Sequence, residues 1–549
     1  MSRGRTTSEL AALALAVFAA ACSDPVPAHG ETSSTSSSTG GGGSSGSAGS
    51  SSGVGTSETS TGAADSGSSG ETGDGPGPEA APLCAGGLPL QYERTDVGDP
   101  VDADALALAT TQYLDLLDEV RYFALARERV HGWPQSDPRG RYWFGTWWSG
   151  VTVVKQDGMV TYRHEDHGAD NNGLRTGPLL EGVCYAAALW QRPEDLALAR
   201  TMARGMVAWI RAMERMPDDP DGPMLCRAFY PEPITATDDG RTIAIDYALN
   251  RPGVDADPSE YVHVPANPDW GDVWIKNKRS KDDIGHMLRA IAQSSACMSL
   301  DSEPELAADF AELRARYSAW SRRVEDDGWR IATLDKDGAR WLPDDLLAYF
   351  VDAECTSKLA IRLLGRFDAG ELDCGNGIGP LDPAIIAAND HNGNILRSFH
   401  EAAANNALLA GQTALAQQLV DGIVVRLDQA VDGFEGVGDP VPHLGEADLV
   451  DMLAHAAALG VPLTSREVRW LHARIATALA SCADPGLQPM LHVFDAATPD
   501  GEYGFEPGGS GINFVSLAAL LGTCASPCAN PSGRPVLDCD MVAARVPAE

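Results

Sequence analysis

The strongest constraint on the fold is a regular alternation of short and long connections between predicted helices. Apolar residues recur at helical spacing in two sets of six segments that alternate along the chain. The first set comprises 178–190, 281–300, 346–364, 398–410, 446–459 and 511–521, and the second comprises 104–130, 194–215, 304–323, 383–388, 412–431 and 465–480. Links from the first set to the second are short except after 364, whereas the reverse links are long. Because short links join antiparallel neighbours, the long loops should all lie at one end.

This alternation predicts an all-α fold, an (α/α)6-type toroid of antiparallel helical hairpins with long loops on one face. In the first long loop, Asp157-Gly158 separates two runs rich in aromatic and β-branched residues, which predicts a small β-hairpin. Thr464 and Glu467 have the spacing of a capping box and predict the start of the helix at 465.

The succession of helical pairs resembles the α/α-toroid carbohydrate-active enzymes, namely the toroidal polysaccharide lyases and the six-hairpin glycosidases. The resemblance covers roughly residues 100 to 523 and concerns architecture alone, since no family signature matches residue by residue. It implies that sugars bind in a groove at the end that carries the long loops.

The start of the chain resembles the signal peptide of a bacterial lipoprotein. Residues 1–22 contain basic residues, then a short apolar run, then small residues and finally Cys22. The apolar run is too short to cross a bilayer. We therefore expect export, lipidation of Cys22 and anchoring to a bacterial (outer) membrane, facing the periplasm or the cell exterior.

Residues 23–82 form a linker, in which 36 of the 45 residues from 31 to 75 are Ser, Thr or Gly. Such a segment has almost nothing to bury, so we expect a disordered tether. The toroid domain is then expected at 83–523, followed by a Cys/Pro-rich tail at 524–549.

Composition restricts the partners of the protein. The net charge of −36 argues against a nucleic-acid ligand, and membrane contact is expected only through the N-terminal lipid. Removing Cys22 from the 11 cysteines leaves 10, so up to five disulfides can form in an exported protein. Cys524, Cys528 and Cys539 are expected to fasten the tail to the domain. We expect a monomer.

Two segments repeat one polar motif, Asn-x-Leu-Arg-Ser/Thr, in front of an Ala-rich helix. The matching residues are Asn172, Leu174, Arg175 and Thr176 in one segment and Asn394, Leu396, Arg397 and Ser398 in the other. Ser398 with Glu401, and Thr176 with Pro178, predict that each helix begins just after its Arg. A helix N-terminus favours anions, so the two motifs predict an anion site if the helices face each other across the ring. Two ordinary capped helices with hydrated loops are the alternative.

Candidate site residues come from four of the long loops. The candidate catalytic residues are His167, Asn172, Arg175, Asp283, His286, His391, Asn394 and Arg397. The candidate substrate-binding residues are Trp147, Trp148, Asp170, Trp274, Lys276, Lys278, Arg279, Asp390, His443, Glu446, Tyr503 and Glu506, and Asp448 lies in the same loop region as Glu446. The cations at 276–281 oppose the dipole of the helix they precede, and an anionic ligand would remove that conflict. A solvated helix start is the alternative.

No cofactor is expected. The His-Glu-Asp-His run ending at His167 lacks the spacing of a zinc helix. A divalent cation shared between His167 and Asp390 or His391 is the alternative.

These residues predict a surface-anchored polysaccharide lyase that cleaves an acidic, uronate-containing glycan by β-elimination. Elimination needs a group that neutralises the uronate carboxylate and a base that removes the adjacent proton. Asn and Arg suit the first task, and His or Tyr suits the second.

Two other functions remain open. A glycoside hydrolase needs paired carboxylates, and Asp170, Asp283, Asp390, Glu446 and Glu506 all lie near predicted helix starts. A non-catalytic glycan-binding lipoprotein would use the same tryptophans to stack on sugars.

Overall fold

The computed structural model describes residues 83–84, 94, 98–120, 151–164, 172–238, 241–246, 260–276, 281–342, 354–372, 391–434, 436–438, 444–505, 514–529 and 534–545. All of them belong to one compact unit, Gly73–Glu549. The predicted signal peptide, Cys22, the linker and the predicted helix at 383–388 lie outside the described residues.

The described part of the chain is rich in helices. The longer ones are α1 (Ala103–Glu119), α2 (Asn172–Trp190), α3 (Pro193–Ile210), α4 (Lys281–Gln293), α6 (Pro304–Asp326), α7 (Glu354–Arg366), α8 (His391–Leu409), α9 (Thr413–Phe434), α10 (Glu446–Ala458) and α11 (Ser465–Cys482). The short ones are α5 (Ser295–Met298), α12 (Gln488–Leu491), α13 (Phe514–Ala518), α14 (Gly522–Ala525) and α15 (Cys539–Ala543), with a 3-10 turn at Ala519–Leu521. The predicted helical segments outside 383–388 are therefore found, with shifted ends.

Two predicted helix starts are wrong. Helix α2 begins at Asn172 and α8 at His391, so each Asn-x-Leu-Arg motif lies inside its helix rather than before it. The Ser398–Glu401 pair is not a cap, because the Glu401 carboxylate is fully buried against Arg289 and Arg397. By contrast, Thr464 and Glu467 do form the predicted capping box of α11.

Three small sheets accompany the helices. The strands are β1 (Val151–Gln156), β2 (Met159–His164), β3 (Ala228–Pro231), β4 (Ile234–Asp238), β5 (Arg241–Asp246), β6 (Tyr261–Asn267), β7 (Gly271–Lys276), β8 (Thr333–Leu334), β9 (Arg340–Trp341) and β10 (Gly501–Phe505). They form sheets in the orders β10-β1-β2-β5-β4, β3-β7-β6 and β8-β9, antiparallel except for β2 with β5. The predicted hairpin is β1–β2, with positive φ at Asp157 and Gly158 in its turn. The prediction of an all-α fold with a single small β-hairpin is therefore too simple, because the described residues form three sheets.

Helices α2, α4, α7, α8 and α10 run parallel to one another. Residues that contact each other across two neighbouring helices increase in number together along both helices. Such pairs are Gly173 with Asp283, Glu181 with Arg289, Tyr185 with Gln293, Gly285 with Ser398, Arg289 with Glu401, Gln293 with Asn405, Arg397 with Asp448, Arg289 with Asp451 and Gln293 with His455. Helix α7 shows the same order, with Ala360 bonded to Asn406 and Phe367 to Gln412. The N-terminal ends of these helices therefore lie at the same end, as the loop lengths predict.

Glycines set the spacing of these parallel helices. A Cβ on Gly173 would lie 2.7 Å from the Cβ of Asp283, and one on Gly285 would overlap the Ser398 side chain. The backbones of α2, α4 and α8 can approach closely only because these positions lack a side chain. As a result α4 packs directly on both α2 and α8, while α7 lies against α8 and α6. The condition for a shared anion site, that the helices of the two motifs face each other across the ring, is therefore not met, because α2 and α8 both adjoin α4.

The termini of the domain are fastened by disulfides and by polar contacts. Cys84 is bonded to Cys528, and Cys524 to Cys539, so the tail cysteines hold the tail to the domain as predicted. Trp190 donates a hydrogen bond to the carbonyl of Val542 in the tail.

The remaining cysteines are divided between bonded and free. Cys184 is bonded to Cys297, and Cys355 is also disulfide-bonded. Cys226 and Cys482 are buried free thiols, so five disulfides are not formed. In the described part of the chain, no helix is both long and apolar enough to span a membrane.

Candidate functional site

The best-supported candidate site is the N-terminal end of α2, α4, α8 and α10, which we call the helix-end site. Its described polar side chains are Asp283 and His286 of α4, Arg397 of α8 and Asp448 of α10. Strand β7 ends at Lys276 and α4 begins at Lys281, so the β3-β7-β6 sheet leads into this end. Several chain segments rich in functional groups therefore converge here.

Asp283 and His286 are one helical turn apart on α4 and lie against α2. A Cβ on Gly177 would lie 2.9 Å from the backbone oxygen of His286, just as Gly173 adjoins Asp283. This close packing leaves the two residues only 2% and 4% exposed, respectively. Glycine at 173 and 177 is thus what allows α4 to carry polar groups against α2.

His286 is neutral at physiological pH. Burial lowers the pKa of His286 to about 3, with the cations Arg289 and Arg397 adding to the effect and Asp451 opposing it. Its Nδ1 atom is 3.9 Å from Oδ2 of Asp451, too far for a hydrogen bond. A neutral imidazole can accept a proton, although a low pKa weakens it as a base.

Arg397 is enclosed by carboxylates of the protein itself. Its Nη1 is 3.1 Å from Oε1 of Glu401 and 3.3 Å from Oδ2 of Asp451, and its Nη2 is 3.7 Å from Oδ1 of Asp448. Burial alone would lower the pKa of Arg397, but these three carboxylates raise it. The Arg397 side chain is 3% exposed, so its charge is compensated by the carboxylates of the protein rather than by water.

Two acidic residues stand in the first turn of α10. The Asp448 side chain is 25% exposed and accepts a hydrogen bond of 2.9 Å from the backbone N–H of Gly445, which caps the helix. Glu446 lies 2.6 Å from Nη1 of Arg474 on α11, and both side chains are partly exposed. Asp448 is therefore the most exposed of the three carboxylates around Arg397, since Glu401 and Asp451 are at most 4% exposed.

One turn deeper, four charged residues form what we call the central polar layer: Glu181, Arg289, Glu401 and Asp451. Arg289 is fully buried and donates to Glu181 at 2.9 Å, to Glu401 at 2.6 Å and to both oxygens of Asp451 at 2.8 and 2.9 Å. Four helices are thus joined at one guanidinium.

The carboxylates of the central polar layer differ in pKa. Burial raises the pKa of Glu181 to about 7 despite Arg289. Burial also opposes ionisation of Asp451 and Glu401, but the neighbouring arginines outweigh it and lower the pKa of both. Glu181 is thus the member of the layer most easily protonated.

The central polar layer was not predicted from the sequence. The available signal was a charged residue inside each of four apolar helices, at Glu181, Arg289, Glu401 and Asp451. Buried charges are rarely found without partners, so four of them in separate apolar helices could have been predicted to meet.

Of the remaining predicted site residues, those that the structure describes lie in different strands and helices. Trp274 and Lys276 lie on β7, whereas Tyr503 lies on β10 in a different sheet and donates to the Pro499 carbonyl at 2.6 Å. For Asn172, Arg175, His391 and Asn394, the structure describes only the backbone, in the first turns of α2 and α8. Outside the described residues lie Trp147, Trp148, His167, Asp170, Lys278, Arg279, Asp390, His443 and Glu506.

Among the residues that the structure describes, no group of three or more His, Cys, Asp or Glu is placed to hold a metal ion. The alternative cation site of His167 and Asp390 falls outside that part of the chain. The chain matches no protein-family model, and comparison with curated proteins and with solved structures finds no similar protein.

Proposed function

We propose that this protein is a glycoside hydrolase with an α/α-toroid fold, and that its reaction takes place at the helix-end site. The toroid is supported by the order of neighbours: α2 packs on α4, α4 on α8, and α13 and α14 on both α10 and α2. Arg397 of α8 and Asp451 of α10 complete the sequence of contacts. A ring of parallel helices leaves one end free to bind a substrate.

Two carboxylates at one end of the ring are the observation that carries the proposal. Asp283 and Asp448 occupy the third residue of α4 and α10, which run parallel. Hydrolysis of a glycosidic bond uses one carboxyl group as proton donor and a second as base or nucleophile. A buried carboxyl suits the donor, and one that meets water suits the second role. Asp283 and Asp448 fit these two descriptions.

Hydrolysis is favoured over elimination by the surroundings of Arg397. Elimination from a uronate requires a cation or amide that can bind the substrate carboxylate. Arg397 was one of the two predicted motif cations, with Arg175, and it is already surrounded by Glu401, Asp448 and Asp451. The net charge of −36 also repels a polyanionic substrate at long range. We therefore place the uronate lyase second.

Site-directed variants test the proposal. Asp283→Asn and Asp448→Asn should each lower the release of reducing sugar from a cleaved glycan by roughly 100-fold or more, the usual contribution of a general acid or base. Asp104→Asn is the matched control, since Asp104 also lies in the first turn of a helix, α1, but is exposed. Melting temperature, measured alongside, separates loss of activity from loss of fold.

Two outcomes would contradict the proposal. Full activity of both variants would remove the carboxylate pair from the reaction. Glycan binding without turnover by the wild-type protein would instead support a non-catalytic glycan-binding lipoprotein.

We also propose that the protein is exported and held at a bacterial membrane through a lipid on Cys22. The lipoprotein-like residues 1–22 and the Ser/Thr/Gly-rich linker support this location. Such a tether would let the domain reach glycans away from the membrane surface.

A further inference from the structure

We infer that α8 and α9 bind a small monovalent anion, a halide, between the side chains of His400 and Arg426. We call this place the interhelix anion site. The inference is independent of the proposed hydrolase, because it concerns buried groups that the proposed reaction does not use.

His400 faces α9 from inside the core. Helix α8 packs on α4, α7 and α9. Ser398 adjoins Gly285 of α4, and Asn406 donates a hydrogen bond to the carbonyl of Ala360 on α7. At about 100° per residue, His400 is turned by roughly 160° from Ser398 and by roughly 120° from Asn406. His400 therefore points toward the third of these neighbours, α9.

Arg426 reaches the same place from α9. The buried residues Leu419, Ile423, Arg426 and Leu427 lie on one stripe of α9, in which Arg426 is the charged member. The connection from α8 to α9 is short, so the two helices are antiparallel, and His400 and Arg426 differ in height by about one helical turn. Side chains tilt toward the N-terminus of their own helix, so these two side chains tilt toward each other.

The His400 ring needs a partner that the described residues do not supply. The side chain is fully buried, and neither Nδ1 nor Nε2 has a hydrogen-bond partner in the described part of the chain. A neutral imidazole carries one N–H donor, and a buried donor without an acceptor is rare in native proteins. The adjacent Glu401 accepts hydrogen bonds from Arg289 and Arg397 instead. The acceptor for the His400 N–H is therefore expected to be a bound species.

The local charge favours an anion as that acceptor. Burial lowers the pKa of His400 to about 3, and the cation Arg426 adds to this effect more than Glu401 opposes it. Burial and the nearby Arg397 also lower the pKa of Arg426 to about 10 against the influence of Glu401. Positive charge thus outweighs negative charge at both residues, and an anion placed between them would relieve the excess.

Burial also limits the kind of anion. His400 and Arg426 are 0% and 6% exposed, so the site is closed to sugars and organic acids. Sulfate and phosphate carry more charge, which costs more to bury, and they bring several oxygens that each need a donor. A halide carries one charge and accepts N–H donors from several directions. We therefore expect chloride in ordinary media and bromide where bromide replaces it.

Melting temperatures in sodium bromide and in sodium acetate at equal ionic strength test the inference. Bromide at about 100 times its dissociation constant should raise the melting temperature of the wild-type protein by about 2–3 °C over acetate. His400→Leu should abolish this difference. In acetate, however, the variant should be at least as stable as the wild type, because it removes a buried polar group that has no partner.

His472→Leu is the matched control, since His472 Nε2 already lies 2.7 Å from the carbonyl oxygen of Val536. This variant should keep the full bromide effect. Arg426→Gln should abolish it, and serves as the second variant if His400→Leu does not fold.

Anomalous diffraction from crystals of the protein purified in sodium bromide locates the ion. A bromide peak between His400 and Arg426 would support the interhelix anion site. An ordered water in that place without bromide would overturn it, as would an equal bromide effect on the wild type and His400→Leu. Neither measurement requires turnover, so failure of the proposed hydrolase would leave these outcomes unchanged.

Discussion

The central polar layer and the helix-end site lie about one helical turn apart on the same helices, but their charges are used differently. In the layer, Arg289 is fully buried and bonds three carboxylates that are at most 4% exposed. At the helix-end site, Asp448 is 25% exposed and lies 3.7 Å from Arg397, beyond hydrogen-bond range. Buried charged groups that hydrogen-bond one another hold the helices together, whereas the partly exposed Asp448 can contact a ligand.

Because the charges of the central polar layer are buried, each of them needs a close partner of opposite charge. Removing ions from water costs several kcal/mol for each, and only close partners offset that cost. Arg289 fulfils this condition by contacting one carboxylate from each of α2, α8 and α10. The layer therefore fixes the relative depth of the helices whose ends carry the site.

Removal of Arg289 should give the largest loss of stability. Arg289→Met leaves Glu181, Glu401 and Asp451 without their shared cation, and we expect the free energy of unfolding to fall by about 3–5 kcal/mol. Urea unfolding measures this change. The matched control is Arg466→Met, which removes a pair with Asp432 whose side chains are 36% and 44% exposed, and should cost about 1 kcal/mol or less. Equal losses in the two variants would mean that the layer does not hold the helices.

Adding a side chain at Gly285, where α4 packs against α8, should give the next largest loss of stability. A Cβ at Gly285 would overlap the Ser398 Oγ atom and lie 3.1 Å from the Phe399 backbone nitrogen. Gly285→Ala should therefore destabilise the fold by about 1–3 kcal/mol. Adding Ser398→Gly removes the side-chain overlap and should restore part of the loss. If Gly285→Ala is as stable as the wild type, α4 and α8 are not packed as closely as described.

Replacing a single buried titratable group should give a smaller change, which is seen in how stability depends on pH. Burial, more than any other factor, lowers the pKa of His286 and His400 to about 3 and that of His455 to about 4, from an ordinary value of 6.5. The unfolded chain then binds more protons than the folded one below pH 6.5, so stability should rise with pH from 4.5 to 6.5. Each histidine contributes up to about 1.4 kcal/mol per pH unit.

Glu181 has the opposite effect on the pH dependence of stability over the same pH range. Its pKa is raised from 4.5 to about 7, so the folded protein binds the extra proton and loses stability as pH rises through this window. Unfolding measured at several pH values should therefore show a shallower slope in His400→Leu and a steeper slope in Glu181→Gln. The same slope in all three proteins would show that these groups titrate as they do in the unfolded chain.

Sequence reasoning succeeded where the signal is local. Asp157-Gly158 encodes its turn through two neighbouring residues, and Thr464 with Glu467 encodes a cap through four. The order of helices and the common direction of the first set follow similarly from periodicity and loop length. These features need no knowledge of distant residues.

Sequence reasoning failed where the partner is distant. Ser398 and Glu401 have the same spacing as Thr464 and Glu467, yet Glu401 bonds Arg289, which is 112 residues away. The pairing of β1 with β10 and of β2 with β5 was missed for the same reason, because these pairs join distant stretches of chain. A short pattern cannot distinguish a local cap from a long-range ion pair.

The candidate site was predicted only in part, because several of its residues were identified from the sequence whereas their contacts were not. Asp283, His286 and Arg397 were identified from their place near helix starts, and the structure brings α4 and α8 together at those positions. The enclosure of Arg397 by Glu401, Asp448 and Asp451 depends on how deeply α8 and α10 are packed relative to each other, which the spacing of residues along the chain does not reveal. That enclosure is the reason why we propose hydrolysis rather than elimination.

Mass spectrometry of the products formed from a panel of neutral and uronate-containing oligosaccharides distinguishes hydrolysis from elimination. Hydrolysis adds one water molecule for each bond broken, so the two fragments together should exceed the mass of the substrate by one water. We expect this result on a neutral oligosaccharide, with the activity lost in Asp283→Asn and Asp448→Asn. Fragments that together equal the mass of a uronate substrate, one of them unsaturated and absorbing in the ultraviolet, would contradict it and establish elimination.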